Sequence, residues 1–228
     1  MLGRPPNPAE QVALALAQVR QEMLDSRSLR YLHQLPKAQA AATFWAEFEA
    51  HLRAQFGEKI RIKQDDPKSS PQASISMRTR GQKIITLYFD MREYPKRVKD
   101  FDAVLDTTRL HLIHEFVHGE QFFSGQRPAV RFSEKMTKAS TADSAAYFYD
   151  PHELQAIAAE MADLAFRLGW KNGLPLDRSK VYSDKHFVQD WVLDYWRADD
   201  QDLWEKFART FNRLLAENLE ARRPKTRQ

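Results

Sequence analysis

The chain of 228 residues is long enough for one domain with a substantial core, and its 43% hydrophobic and 29% charged residues are typical of a soluble globular protein. It has no cysteine, which excludes disulfides and every cysteine-ligated zinc site, so any metal must be held by histidines and carboxylates. The net charge of +4 is partly carried by the basic residues at 222–227. These favour a solvated terminus over weak, non-specific contact with nucleic acid.

No stretch approaches the length of a membrane span, and the first residues lack the apolar core of a signal peptide. We therefore expect a cytoplasmic protein with no membrane partner. The sequence gives no indication of oligomeric state.

Two helices followed by a small sheet are predicted for the first part of the chain. Asn7, Pro8 and Glu10 are typical of a helix start, with the helix running to about residue 24. A second helix is predicted at 37–56, ending at Gly57. Alternating polar and apolar residues then predict strands at 59–63 and 73–78, and a third strand is predicted at 84–89. We expect these strands to form a largely antiparallel sheet within residues 59–92. An exposed edge of this sheet could pair with an extended peptide.

The next predicted helix, about 101–123, carries an H-E-x-x-H motif at residues 114–118. Residues four apart lie on one face of a helix, so the imidazoles of His114 and His118 can reach the same ion. Glu115 lies about 100° further round, where its carboxylate can reach a water bound to that ion and serve as general base. His111 shares the face of His114, and it is predicted to be a packed or outer-shell residue rather than a further ligand.

Burial of this helix favours a metal at the motif, because buried histidines and glutamates need partners. The alternative is a pair of hydrogen-bonded core histidines beside an ion-paired glutamate. The apolar residues that cover the helix form two rows, Leu105, Leu112 and Phe116 in one and Leu110, Ile113 and Val117 in the other.

A catalytic zinc ion takes three protein ligands, so a third is expected from another element. The polar stretch 124–150 is either a wall or lid over the metal or a surface loop. Asp150 and Pro151 then begin a helix in which Glu153 is our predicted third ligand, although a glutamate at this place also fits a capping box. Alanines on this helix would let it lie close to the metal helix. The alternatives to Glu153 are, in order, Glu160, His152 and Asp143.

Helices at about 184–196 and 200–221 complete the chain, and aromatic residues recur in them at helical spacing, which predicts core packing. We predict a single domain, 1–228. It comprises N-terminal helices (1–58), the sheet (59–92), metal-site helices with their intervening loop (96–169) and C-terminal helices (176–222).

The motif and the segment Glu153-Leu154-Gln155-Ala156 together resemble zinc metallopeptidases of the zincin group, the segment being similar to the glutamate helix of the gluzincins. The pattern H-E-x-x-H-x-x-Q with residues 147–156 is also similar to phage and prophage proteins classed as metallopeptidases. The resemblance covers about residues 100–168. No His-x-x-Gly-x-x-His extension follows His118, which disfavours the metzincin type.

The predicted elements together give a mostly helical α+β fold, with a small antiparallel sheet packed on a zincin-like active-site helix pair and with C-terminal helices. The resemblance implies Zn²⁺ bound by His114, His118 and Glu153, Glu115 as catalytic base, and a protein or peptide substrate. In gluzincins a tyrosine or a histidine often helps to stabilise the oxyanion, and Tyr147 and Tyr149 are the nearest candidates. A phage-derived chain could also be associated with the virion.

Two other functions are compatible with the sequence. In the first, zinc ties two helices together without catalysis. In the second, the motif is accidental and the chain is a basic nucleic-acid-binding or virion-associated protein. Closed structural zinc sites usually have four protein ligands, which disfavours the first alternative.

Overall fold

The computed structural model describes residues 8–26, 31–57, 60–64, 73–77, 83–123, 149–181, 192, 195 and 197–221. Within these residues the fold is mostly helical with one small sheet, which confirms the predicted class. None of the described helices combines the length and apolar character that crossing a membrane requires. The helices are α1 (Pro8–Asp25), α2 (Lys37–Phe56), α3 (Val98–Phe123), α4 (Pro151–Arg167) and α5 (Gln201–Ala221), and the strands are β1 (Ile60–Gln64), β2 (Ala73–Met77) and β3 (Lys83–Phe89).

Most predicted boundaries agree with these elements. Helix α2 has the predicted bounds, and α4 begins at Pro151 with Asp150 as its N-cap. Helix α3 begins at Val98 rather than near Phe101. The helix predicted at 184–196 lies mostly outside the described residues, as does the proposed N-cap Asn7.

The prediction of a largely antiparallel sheet was wrong, because the sheet is mixed. Its strand order is β1-β3-β2, with β3 parallel to β1 and antiparallel to β2. The prediction assumed that strands consecutive in sequence are also neighbours in space, whereas β3 lies between the other two. Residues 84–87 of β3 are buried without alternation, as is typical of a central strand.

Contacts between Cα atoms divide the chain into two compact units, Met1–Glu115 and Phe116–Gln228. The boundary between the units falls inside the continuous helix α3 rather than in a linker.

In the first unit, α2 organises the aromatic core and holds the sheet. The Trp45 ring stacks on Phe89 of β3, with ring centroids 4.8 Å apart. The Glu49 carboxylate accepts a hydrogen bond from the backbone N–H of Ile62 at 2.8 Å. Arg53 donates to the backbone carbonyl of Ile60 at 3.1 Å. The sheet is therefore joined to α2 by both ring contacts and hydrogen bonds to the β1 backbone.

In the second unit, α4 packs against α5 through alanines on α4 and aromatic rings on α5. The Tyr195 ring stacks on Phe207, with centroids 4.3 Å apart. This packing confirms that the C-terminal aromatics at described positions belong to the core. The largest side chains of this core are Trp204, Tyr195, Phe207 and Phe211.

Helix α4 has a defined start and a defined end. At its start the Asp150 side chain accepts the N–H of His152 at 2.8 Å, and Pro151 occupies the first turn. At its end Gly169 has φ +82°, and its N–H bonds to the carbonyl of Phe166. The N–H of Trp170 bonds to the carbonyl of Ala165, which completes a Schellman motif.

Replacement of Gly169 by alanine is expected to destabilise the protein by about 1 kcal/mol, because an L side chain disfavours this left-handed backbone. Nothing lies within 4 Å of the added Cβ, so the cost is conformational rather than steric. Gly169→Asn should cost less, since asparagine tolerates this conformation better. Chemical unfolding of the three proteins tests the order, and an alanine variant as stable as the parent would contradict it.

Candidate metal centre

Three of the predicted site residues lie together. His114, His118 and Glu153 each offer one ligand atom, and these atoms all lie within 4.8 Å of one another. The Nε2 atom of His118 is 3.3 Å from Oε1 of Glu153. The side chains of His118 and Glu153 are 17% and 9% exposed, so this pair is largely withdrawn from water.

Local structure explains how the three side chains converge. The two histidines are one helical turn apart on α3, and α3 is unbroken from Val98 to Phe123. Glu153 is the third residue of α4, and the position of that turn is set by the Asp150 cap. A carboxylate in the first turn of a helix is favoured by the helix dipole, and Glu153 lies in that turn.

The group is chemically suited to zinc. Zinc accepts imidazole nitrogen and carboxylate oxygen at about 2.0–2.2 Å. Two tetrahedral ligands at such distances are about 3.3–3.6 Å apart. The 3.3 Å separation of His118 Nε2 and Glu153 Oε1 is consistent with that geometry.

Gln121 connects this group to both helices. Its amide oxygen lies 3.0 Å from Nδ1 of His118. Its amide nitrogen donates to the backbone carbonyl of His152 at 3.1 Å and to Oε1 of Gln155 at 3.3 Å. One buried side chain on α3 thus contacts a candidate ligand on its own helix and the first turn of α4. The sequence placed Gln121 in the motif without a role, although its i, i+3 spacing from His118 was the available signal.

The predicted base Glu115 is 5% exposed on α3. Buried residues also include the other candidates His111 and Glu160, but neither belongs to the group of three. His152 is outside the group as well, and Asp143 lies outside the described residues.

The two tyrosines predicted for the oxyanion have different outcomes. Tyr147 lies outside the described residues. Tyr149 is 52% exposed, and its hydroxyl donates to Oδ2 of Asp200 at 2.6 Å. Asp200 also accepts the N–H groups of Asp202 and Leu203 at the start of α5. Tyr149 therefore joins the starts of α4 and α5, and its role at an oxyanion stays a prediction.

Tyr195 is a polar neighbour of the site that sequence reasoning classed only as core. Its ring is fully buried. Burial raises the pKa of Tyr195 far above its ordinary value, and the negative charges of Glu153 and Asp150 act in the same direction. The phenol is thus held protonated near the Glu153 carboxylate. Helical spacing alone carries no signal for that proximity.

Comparison with protein-family models, curated proteins and solved structures finds no match to this chain. The resemblance to zincins therefore rests on the residues of the two motifs.

Several interactions lower the pKa of Asp200 below its ordinary value of 3.8, and the hydrogen bond from the Tyr149 hydroxyl contributes most. Tyr149→Phe should raise the pKa of Asp200 toward that value, as measured by carboxyl-carbon NMR titration. Since the folded pKa is lowered, any stability from this carboxylate is present above the unfolded pKa and lost as pH falls through the folded one. Tyr31→Phe, at another exposed tyrosine, is the control. An unchanged pKa of Asp200 in Tyr149→Phe would contradict the assignment.

Replacement of Glu153 by glutamine should weaken zinc binding by at least about 100-fold, beyond the loss of about 10–100-fold typical of an outer-shell partner. The matched control is Glu160→Gln, since Glu160 is a second buried glutamate on α4. Competition against a chelating dye measures both affinities. A larger loss in Glu160→Gln would assign the third ligand to Glu160 instead.

Proposed function

We propose that this chain is a zinc-dependent metallopeptidase that hydrolyses peptide bonds by a metal-activated water. The observation that carries the proposal is the convergence of His114 and His118 with Glu153, a residue far away in sequence that was selected as the third ligand by its motif. Glu115 follows the first histidine directly, as a general base in an H-E-x-x-H helix does.

The number of ligands favours catalysis over a purely structural metal. The group found among the described residues has three members, and a catalytic zinc site has three protein ligands with one position left for water or substrate. A closed structural site would take four protein ligands.

The division of roles follows from the chemistry of the residues. Bound zinc would polarise the substrate carbonyl and lower the pKa of a bound water to about 7. The Glu115 carboxylate accepts a proton from the attacking water and later delivers it to the departing amine nitrogen. Burial of Glu115 keeps bulk water from competing for that proton. His114, His118 and Glu153 would hold the ion, two through imidazole nitrogen and one through a carboxylate oxygen.

A protein or peptide substrate is proposed on the resemblance of the two motifs to zincins. A proteome-derived peptide library, with new termini identified by mass spectrometry, is therefore the suitable probe.

Glu115→Gln should retain about one zinc per chain and lose about 10²–10⁴-fold in peptide hydrolysis, the usual contribution of a general base. Glu120→Gln is the matched control, because Glu120 is an exposed glutamate on the same helix. His114→Ala should lose both metal and activity. Metal content is measured by elemental mass spectrometry and cleavage with the peptide library.

Equal hydrolysis by Glu115→Gln and the parent would refute the assignment of the base. Zinc bound at one per chain with no cleavage of any peptide would instead favour the structural-metal alternative. No zinc in the parent after supplementation would favour the binding-protein alternative.

A further inference from the structure

We infer that Gln121 is a positioning residue that holds the proton of the His118 ring on Nδ1 and so keeps Nε2 available for the metal. This inference deepens the proposed function and rests on it, because a protonated Nε2 cannot bind a metal ion. Three hydrogen bonds around one buried amide support this assignment.

The groups around the Gln121 amide determine which of its ends is the nitrogen and which is the oxygen. One end of the amide is 3.1 Å from the backbone carbonyl of His152. A carbonyl oxygen can only accept a hydrogen bond, so this end must be the NH₂ group. The same NH₂ group reaches Oε1 of Gln155 at 3.3 Å. The oxygen end is therefore the end that faces His118.

The Gln121 oxygen determines which nitrogen of the His118 ring carries the proton. The Gln121 oxygen is 3.0 Å from Nδ1. If Nδ1 carried no proton, its lone pair would face a lone pair of the Gln121 oxygen at that distance. Gln121 is only 5% exposed, so the contact is largely withdrawn from water. Such a mismatch between two buried acceptors is unfavourable. Nδ1 therefore donates, and a neutral ring then has its only lone pair on Nε2.

The remaining lone pair, on Nε2 of His118, belongs to the nitrogen next to Glu153. Nε2 is 3.3 Å from Oε1 of Glu153, and both atoms belong to the metal-capable group. An oxygen acceptor thus lies at each ring nitrogen of His118. The proton on Nδ1 is donated to the Gln121 oxygen. The unprotonated Nε2 and the Glu153 carboxylate are suited to share a cation. Without Gln121, Glu153 would attract the single ring proton to Nε2.

The same amide also connects the two helices. Gln121 lies on α3, and its NH₂ group holds the first turn of α4 through His152 and Gln155, next to Glu153. Gln121 therefore acts on both sides of the His118–Glu153 pair. Outer-shell partners of metal-bound histidines typically account for about 10–100-fold in metal affinity.

The test is ¹⁵N NMR of histidine-labelled, metal-free protein, at a pH about two units above the ordinary histidine pKa of about 6.5. His118→Asn identifies the His118 signals. We expect the proton on Nδ1 in the parent protein and on Nε2 in Gln121→Met, which keeps the side-chain length but removes the amide. Gln121→Glu keeps an acceptor, so it should keep the proton on Nδ1.

Zinc affinity is measured on the same set, with an expected loss of about 10–100-fold in Gln121→Met. Gln155→Met is the matched control, because it leaves the bond between Gln121 and His118 and should leave the proton on Nδ1. A proton on Nε2 in the parent, or one that remains on Nδ1 in Gln121→Met, would overturn the inference. If Gln121→Met does not fold, a proton on Nε2 in Gln121→Glu overturns it in the same way.

Failure of the proposed function produces a different pattern. A parent protein that binds no zinc refutes the metal site, but the metal-free spectra still decide where the His118 proton lies. A parent that binds zinc and cleaves no peptide refutes hydrolysis while both readouts for Gln121 are retained.

Discussion

His118 has an oxygen acceptor at each of its two ring nitrogens, the Gln121 amide at Nδ1 and the Glu153 carboxylate at Nε2. A neutral imidazole has one proton and cannot satisfy both acceptors. A metal ion shared with the carboxylate would satisfy the acceptor at Nε2, as would a second proton on the ring. The histidine, the amide and the carboxylate have to be considered as one unit, because changing any of them alters what the other two require.

Helix α4 carries Glu153, and the position of α4 depends on its packing within the second compact unit of the fold. The helix is capped by Asp150, packed on α5 through small side chains, and joined to the start of α5 by the Tyr149–Asp200 bond. The aromatic residues of α5 thus serve the site indirectly, since they determine where the first turn of α4 lies. Tyr195 belongs to this core and also interacts with the site. Its ring stacks on Phe207, and the negative charge of Glu153 helps to raise the pKa of its phenol.

Local signals in the sequence predicted most of the described elements and the three members of the candidate metal group, with Glu153 placed ahead of Glu160, His152 and Asp143 as the third ligand. The spacing of His114 and His118 determines a shared helix face, and the Asp150-Pro151 start places Glu153 in the first turn of α4. Non-local relations were beyond such signals. The pairing of β3 with β1 depends on which strand occupies the centre of the sheet. The Tyr149–Asp200 bond and the proximity of Tyr195 to Glu153 join residues that are distant in sequence, and no periodicity encodes them.

The two ends of α4 have a consequence for how the chain can vary. The Asp150 cap and the Gly169 terminus are both made by residues next to the helix itself. The register of α4, and with it the place of Glu153 in the first turn, is therefore specified within the stretch 150–170. Substitutions elsewhere in the chain can therefore move α4 as a whole while Glu153 keeps its place in the first turn.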